Sequence, residues 1–344
     1  MKNTMKKLAS AALALSMTLA LAACGAKETP AASSAPAAPG SSGPSQPVTE
    51  MYKIGISQFG EHASLDNCRE GFLQGLTEAG LVEGTDYEVL YQNASFDGGI
   101  CTQIGQTFSA ENVDIMVGIA TPSATACYAA AEDKNIPVIF TAITDPVEAK
   151  LDSGNVTGTS DKLPVEAQLD LIRTLQPAAK TLGIIYTTSE PNSVSAIAEY
   201  EAKVADYGFT LETVGITSQA EVTQAVDTLL SRGIDCMSNL TDNTVVGVLA
   251  STLEKTDAAG VPVYGSEVEQ VKIGCVAAAG IDYIQLGIQT GQMAAKVLRG
   301  EAACEDIPYE TISEYGIYVN SDALSAMGIE LPASIAGKAI EANG

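Results

Sequence analysis

The chain has 344 residues, of which 18 are Lys or Arg and 42 are Asp or Glu, for a formal net charge of −24 at pH 7. A surface that acidic repels phosphate backbones and anionic lipid headgroups, which argues against nucleic acid as a partner and against membrane binding through a basic patch. One histidine (His62) and seven cysteines without close spacing form no metal-ligand pattern, and neither a metal nor a cofactor is expected.

The first residues carry the three parts of an export signal: a basic head at Lys2, Lys6 and Lys7, an apolar run over 8–21, and small residues before a cut. The run is shorter than the ~20 residues a bilayer core needs, so it does not read as a transmembrane helix. Its end, Leu21-Ala22-Ala23-Cys24, resembles the lipobox of bacterial lipoproteins. That resemblance implies removal of residues 1–23 as a signal peptide and a diacylglyceryl group on Cys24, which leaves the body extracytoplasmic and lipid-anchored to the cell membrane. Two acyl chains give stable anchoring, at ~0.8 kcal/mol per buried methylene. Residues 24–50 hold the cysteine and a stretch almost entirely of Ala, Pro, Ser and Gly. Such a stretch has too little apolar surface to offset the entropy of ordering it, and it reads as a flexible linker.

From residue 52 strands and helices alternate. Short apolar runs rich in β-branched residues predict buried parallel strands over 52–57, 87–92, 115–118 and 138–141, with helices over 64–79, 98–111 and 122–133 between them. Asp97 and Thr121 suit the N-caps of the second and third helices, and Gly80 suits the end of the first. After Pro164 the rhythm restarts. Helices over 165–175, 193–207, 219–231 and 244–259 alternate with strands over 181–186, 210–215, 236–240, 261–265 and 274–279. A helix over 283–299 and a last strand over 315–319 are too little for a third domain. The expected fold is α/β, with two Rossmann-like lobes joined by a hinge and helices on both faces of each sheet. The economical division gives 51–159 plus 282–303 to an N-terminal lobe and 160–281 plus 304–335 to a C-terminal lobe. Crossings then fall near 159–161, 281–282 and 304–307. Cys68, Cys101, Cys127, Cys236, Cys275 and Cys304 are scattered singly, mostly in apolar or helical contexts, and are expected as reduced, buried thiols.

Polar groups cluster after the strand ends, where open α/β sheets bind ligands. Gln58, Phe59 and His62 follow the first strand. Thr121 and Ser123 follow the third, where hydroxyls and free N–H groups at a helix start make an anion seat. Thr141 and Thr144 lie at and beyond the fourth, and Asn192, Ser193, Asp242 and Asn243 occupy equivalent places in the second half. Helix capping accounts for any one of these, but five such groups in both halves point to a binding cleft. Catalysis is less well supplied: His62 is the sole imidazole for a triad, and the P-loop and dinucleotide fingerprints are missing. Asp145, before Pro146, suits a turn, whereas Asp242 suits a counter-ion for an ammonium group.

These segments resemble the substrate-binding proteins of ABC importers, in the subfamily associated with tryptophan, tyrosine and phenylalanine uptake. The similar stretches are Ile56-Ser57-Gln58 with His62-Ala63-Ser64-Leu65-Asp66 and Arg69-Glu70-Gly71-Phe72, then Ala120-Thr121-Pro122-Ser123 and the run from Phe140 to Val147. They continue through Ser189-Glu190-Pro191-Asn192-Ser193, Thr241-Asp242-Asn243-Thr244 and Gly280-Ile281-Asp282-Tyr283, so that residues 52–331 are covered in order. The resemblance implies a type I periplasmic-binding-protein fold of the Venus flytrap kind, no enzymatic activity, and an aromatic amino acid as ligand. It also implies an ABC permease with its ATPase as partner, the receptor itself being a monomer. The ligand carboxylate would meet Thr121 and Ser123, and its ammonium Asp242 with help from Gln58. Asn192 and Ser193 would clamp from the second lobe, and Phe59 or Tyr283 would supply an apolar wall. Thr141, Thr144, His62 and Asn243 complete the candidate set. Glu61 and Ser64 depart from the family pattern and leave the pocket chemistry open. The alternative from another class is a bilobal ligand sensor or an enzyme on the same fold.

Overall fold

The computed structural model describes residues 51–312 and 315–343; the leader, Cys24 and the linker lie outside the described residues. The chain begins with β1 (Tyr52–Gln58), α1 (Ala63–Glu78), β2 (Tyr87–Asn93), α2 (Gly98–Ala110), β3 (Ile115–Ile119), α3 (Thr121–Ala131), β4 (Val138–Thr141) and β5 (Val156–Ser160). It continues with α4 (Val165–Leu175), β6 (Thr181–Thr187), α5 (Pro191–Lys203), β7 (Thr210–Ile216), α6 (Val222–Ser231) and β8 (Cys236–Ser238). Next come α7 (Asn243–Val246), α8 (Leu249–Ala259), β9 (Val263–Tyr264), α9 (Val268–Ile273) and β10 (Ala277–Gly280). The tail carries α10 (Tyr283–Leu298), β11 (Glu310–Thr311), β12 (Gly316–Val319), α11 (Ser321–Ala326), α12 (Ala333–Ala336) and β13 (Ala339–Glu341).

Six parallel strands form the first sheet in the order β11-β5-β4-β3-β1-β2. Its central strand β3 is buried at every position, as a strand covered by helices on both faces must be. A second parallel sheet runs β7-β6-β8-β9, and a third runs β10-β12-β13, with β12 antiparallel to β10. Bonds from Gly265 N–H to Ala277 O (2.9 Å) and from Val276 N–H to Val263 O (2.8 Å) join these two edge to edge. The result is two α/β lobes. Phe72, Phe108, Phe140 and Tyr87 fill the core of the first; Tyr200, Tyr264, Leu169 and Ile172 fill that of the second, with Val226, Leu229 and Met237 on the far face of its sheet.

The tail helix α10 belongs to the first lobe because four glycines let it touch α1 backbone to backbone. A Cβ on Gly75 would lie 2.1 Å from Ile288 O, and one on Gly291 would lie 2.1 Å from Phe72 O. Gly71 and Gly287 are as tight, at 2.2 Å and 2.4 Å from facing carbonyl oxygens.

Several elements differ from the sequence expectation. β5, Val-Thr-Gly-Thr-Ser, was not expected as a strand, because its apolar content is too low for the pattern; burial on both faces holds it. Thr121 is not the cap of α3 but its first residue, after Ala120 in an extended left-handed conformation (φ 75°, ψ 154°). The helix expected over 244–259 breaks at Gly247 and Val248, where a Cβ on Gly247 would meet Phe96 at 2.9 Å. Residues 268–273, left between strands, form α9, and α11, α12 and β13 were not foreseen. The third crossing comes later than 304–307. Cys304 is buried in the first core, Thr157 Oγ1 donates to Ile307 O (2.7 Å), Tyr309 packs on Phe140, and β11 pairs with β5. Residues 304–312 thus stay with the first lobe, and the chain crosses between β11 and β12. The six cysteines of the described residues are free and buried, and no helix among those residues is long and apolar enough to cross a membrane.

Candidate functional site

The strand ends of the two lobes face each other across a narrow cavity. The first lobe contributes His62, Ser64 and Leu65 at the start of α1, Ala142 after β4, Asp161 after β5 and Tyr283 at the start of α10. The second contributes Thr241, Asp242, Asn243 and Val246 around α7, and Glu267 and Gln270 around α9. The first lobe's strand ends carry two alanines at positive φ, Ala120 and Ala142 (φ 75° and 58°). Such backbone costs on the order of 1–3 kcal/mol and is retained where the surrounding structure enforces it.

Three carboxylates in the wall are almost wholly buried: Asp161 is 4 % exposed, and Asp242 and Glu267 are each 1 % exposed. Asp161 accepts from Tyr283 Oη (2.5 Å) and Thr144 Oγ1 (3.0 Å). Asp242 caps α7 through Val245 N–H (2.9 Å) and accepts from Thr187 N–H (2.5 Å) and Oγ1 (2.8 Å). Glu267 caps α9 through Gln270 N–H (3.0 Å) and accepts from Ser64 Oγ of the other lobe (3.1 Å). None of the twelve lining residues is Lys or Arg. Burial therefore raises all three carboxyls: Glu267 is pushed up to about 7, Asp161 is raised against its hydroxyl donors, and Asp242 is raised further by the Glu190 carboxylate beside it. Glu190 stands behind the wall. It accepts from the N–H and side chain of both Asn243 and Thr244, and from Asn192 Nδ2.

His62 stands at the boundary of the lobes. Its Nε2 lies 3.3 Å from Asn243 Oδ1, and its ring is nearly parallel to Phe96 (11°, 6.4 Å between centroids). Burial lowers its pKa to about 4, against the raising influence of Asn243 and Asp66. Thr144 with Thr241 (3.1 Å), and Ser195 with Asp145 (2.9 Å), add further bonds between the lobes. These interlobe bonds describe a shut cleft.

Of the expected site residues, His62, Asp242, Asn243 and Tyr283 line the cavity. Thr144 and Asn192 stand one hydrogen bond behind it, through Asp161 and through Thr241 O, and Ser193 Oγ is held by Asn192 Nδ2 (3.4 Å). The others lie off the wall. Gln58 is taken up by Asp66, Arg69 and Gly60 O, so it is not free to help hold an ammonium. Phe59 packs edge-on against Phe96 in the first core. Thr141 bonds to Thr159, and Ser123 to Ser57; Thr121 Oγ1 is buried without a partner. The strand-end rule would have found Asp161 and Glu267, which follow β5 and β9, had β5 been recognised and the residues after β9 been followed.

The family model for ABC transporter substrate binding proteins matches residues 53–343. A curated Tyrosine-binding protein of Clostridioides difficile (strain R20291) is 38% identical over 290 residues, 82% of this chain and 82% of its own. A structure of an ABC domain in complex with L-Trp from Streptococcus pneumoniae is 33% identical, covers 85% of this chain and 99% of its own, and superposes with a TM-score of 0.81. The ligand-free, open structure of a substrate binding protein with adhesive properties from Clostridium difficile is 35% identical, covers 85% and 100%, and reaches a TM-score of 0.63. At matching identity and coverage, the overall shape of this chain is nearer to the L-Trp complex than to the open structure.

Proposed function

The chain belongs to the ABC transporter substrate-binding proteins, and from that premise we propose that it captures an aromatic amino acid between its lobes for an importing permease and its ATPase. The observation that carries the ligand class is the set of three buried carboxylates, from both sides of one shut cavity, with no Lys or Arg in the wall. A buried carboxylate without a cation costs several kcal/mol once ionised, and a ligand ammonium supplies the missing charge. Asp161 and Glu267 are its first partners, with Asp242 beside them. Leu65, Val246 and the Tyr283 ring offer apolar surface to a side chain. The aromatic preference draws on the tyrosine-binding relative and the L-Trp complex.

The same charges couple binding to closure. Burial penalises the ionised form of each carboxylate, so at neutral pH the empty cleft resists shutting, and an ammonium among them reverses the sign. Calorimetry of residues 51–344 against the proteinogenic amino acids tests the ligand class. Saturable binding of at least one aromatic amino acid is expected, and binding of none of them overturns it. We place the body outside the cytoplasmic membrane, held by a lipid on Cys24, from the leader sequence. Cys24→Ser should release the protein from washed membranes, and its retention there would refute the anchor.

A further inference from the structure

We infer that His62 is a specificity-determining residue, a buried hydrogen-bond acceptor that selects aromatic amino acids whose side chain carries an N–H or O–H donor. This rests on the aromatic amino-acid function proposed above. Asn243 fixes the protonation of the ring. Its Nδ2 donates to Glu190 Oε2 (2.7 Å), so its Oδ1 is the atom turned to His62. An amide oxygen only accepts, and His62 Nε2, 3.3 Å away, must therefore carry the proton. In a neutral imidazole the other nitrogen is then a bare lone pair. That nitrogen, Nδ1, is buried and has no hydrogen-bond partner, and His62 lines the cavity. The low pKa, about 4, keeps the ring neutral through the physiological range, so Nδ1 remains an acceptor.

A buried acceptor without a donor is costly to leave unmade. The ligand ammonium has the carboxylates of Asp161, Asp242 and Glu267 as stronger partners, which leaves Nδ1 to the side chain. A phenol O–H or an indole N–H can satisfy it, and a phenyl ring cannot. The four other orphaned atoms among the described residues, Thr121 Oγ1, Asn192 Oδ1, Asn239 Nδ2 and Thr252 Oγ1, belong to residues off the cavity wall. The Phe96 ring lies nearly parallel to the imidazole and supports it.

The test is calorimetric titration of tyrosine, tryptophan and phenylalanine into the wild-type protein and into His62→Phe, with circular dichroism to check folding. In the wild type the tighter of tyrosine and tryptophan should bind roughly ten- to hundredfold better than phenylalanine, the range for leaving one buried acceptor unpaired. His62→Phe keeps an aromatic ring on Phe96 and should abolish that ratio with little loss for phenylalanine. Equal wild-type affinities for all three overturn the assignment without needing the variant. So does a folded His62→Phe protein that weakens all three by the same factor, which would place the ammonium, not the side chain, on the imidazole. If none of the three binds the wild type, the aromatic amino-acid function itself falls, and this assignment with it.

Discussion

Glu267 is held at about 7 by burial, and Asp161 and Asp242 are raised in the same direction. The other ionisable groups in or close to the cavity are Glu190 and Glu269 in the second lobe, and His62, Asp66, Cys68, Asp282 and Tyr283 in the first. A cation entering the cavity favours the ionised carboxylates, so binding must expel whatever protons they hold. Below about pH 7 Glu267 is protonated in the shut, empty cleft, so that closure without ligand no longer buries its charge, and a ligand ammonium must displace that proton at a cost that grows as pH falls. Affinity should therefore rise from pH 5.5 to about 7 and level off above, with protons released on binding below pH 7. Calorimetry in buffers of different ionisation enthalpy counts those protons. An affinity flat from pH 5.5 to 8, with none released, would refute this coupling of protons to binding. At this scale the sequence shows His62, Asp242, Asn243 and Tyr283 because they follow legible strands or open a helix. Asp161 was hidden behind β5, whose Thr-Gly-Thr-Ser reads as loop until two buried faces make it a strand. The dual place of Asp242, helix cap and cavity wall at once, is a matter of geometry that neither residue type nor spacing reveals.

Among the elements, the crossing of α1 and α10 is the most demanding of small residues. Gly71 and Gly75 on one helix face Gly287 and Gly291 on the other, each four apart and so on a single helical face. The nearest contact to a Cβ added at Gly291 is a backbone carbonyl, Phe72 O at 2.1 Å, which cannot swing aside as a side chain would. Gly291→Ala must push the helices apart, and overpacking of this kind costs about 1–3 kcal/mol, more than the helix propensity of Ala returns. Urea unfolding should show a lower midpoint at unchanged slope; a midpoint equal to or above wild type would mean that the contact gives way freely. The spacing of each glycine pair is visible in the sequence, but which helix receives which is not, since residues 71 and 291 meet only after the chain has built a second lobe between them. The same blindness misplaced 304–312. Short polar β11 carries no pattern of its own and is a strand only because β5 has an open edge beside it.

At the scale of the whole molecule, the shut cleft and the closer match in shape to the L-Trp complex than to the open structure imply a hinge closed by ligand. Small-angle scattering of residues 51–344 should show a smaller radius of gyration with a bound amino acid than without. An unchanged radius, with saturation verified by calorimetry, would refute closure on binding. The sequence by itself determined the two-lobed α/β architecture, because strand and helix periodicity are local and each element's apolar face is written in residues two or three to four apart. It determined as well the excess of acid, which no arrangement of the chain removes and which repels phosphate backbones. Only the tertiary structure decided the composition of the cavity. Asp161, Asp242 and Glu267 lie on separate segments that approach when the lobes close, and their raised pKa values arise from a burial that no one segment creates. It alone decided the state of His62 too, whose ring is neutral and whose Nδ1 is bare because Glu190, 128 positions along the chain, turns the Asn243 amide toward it.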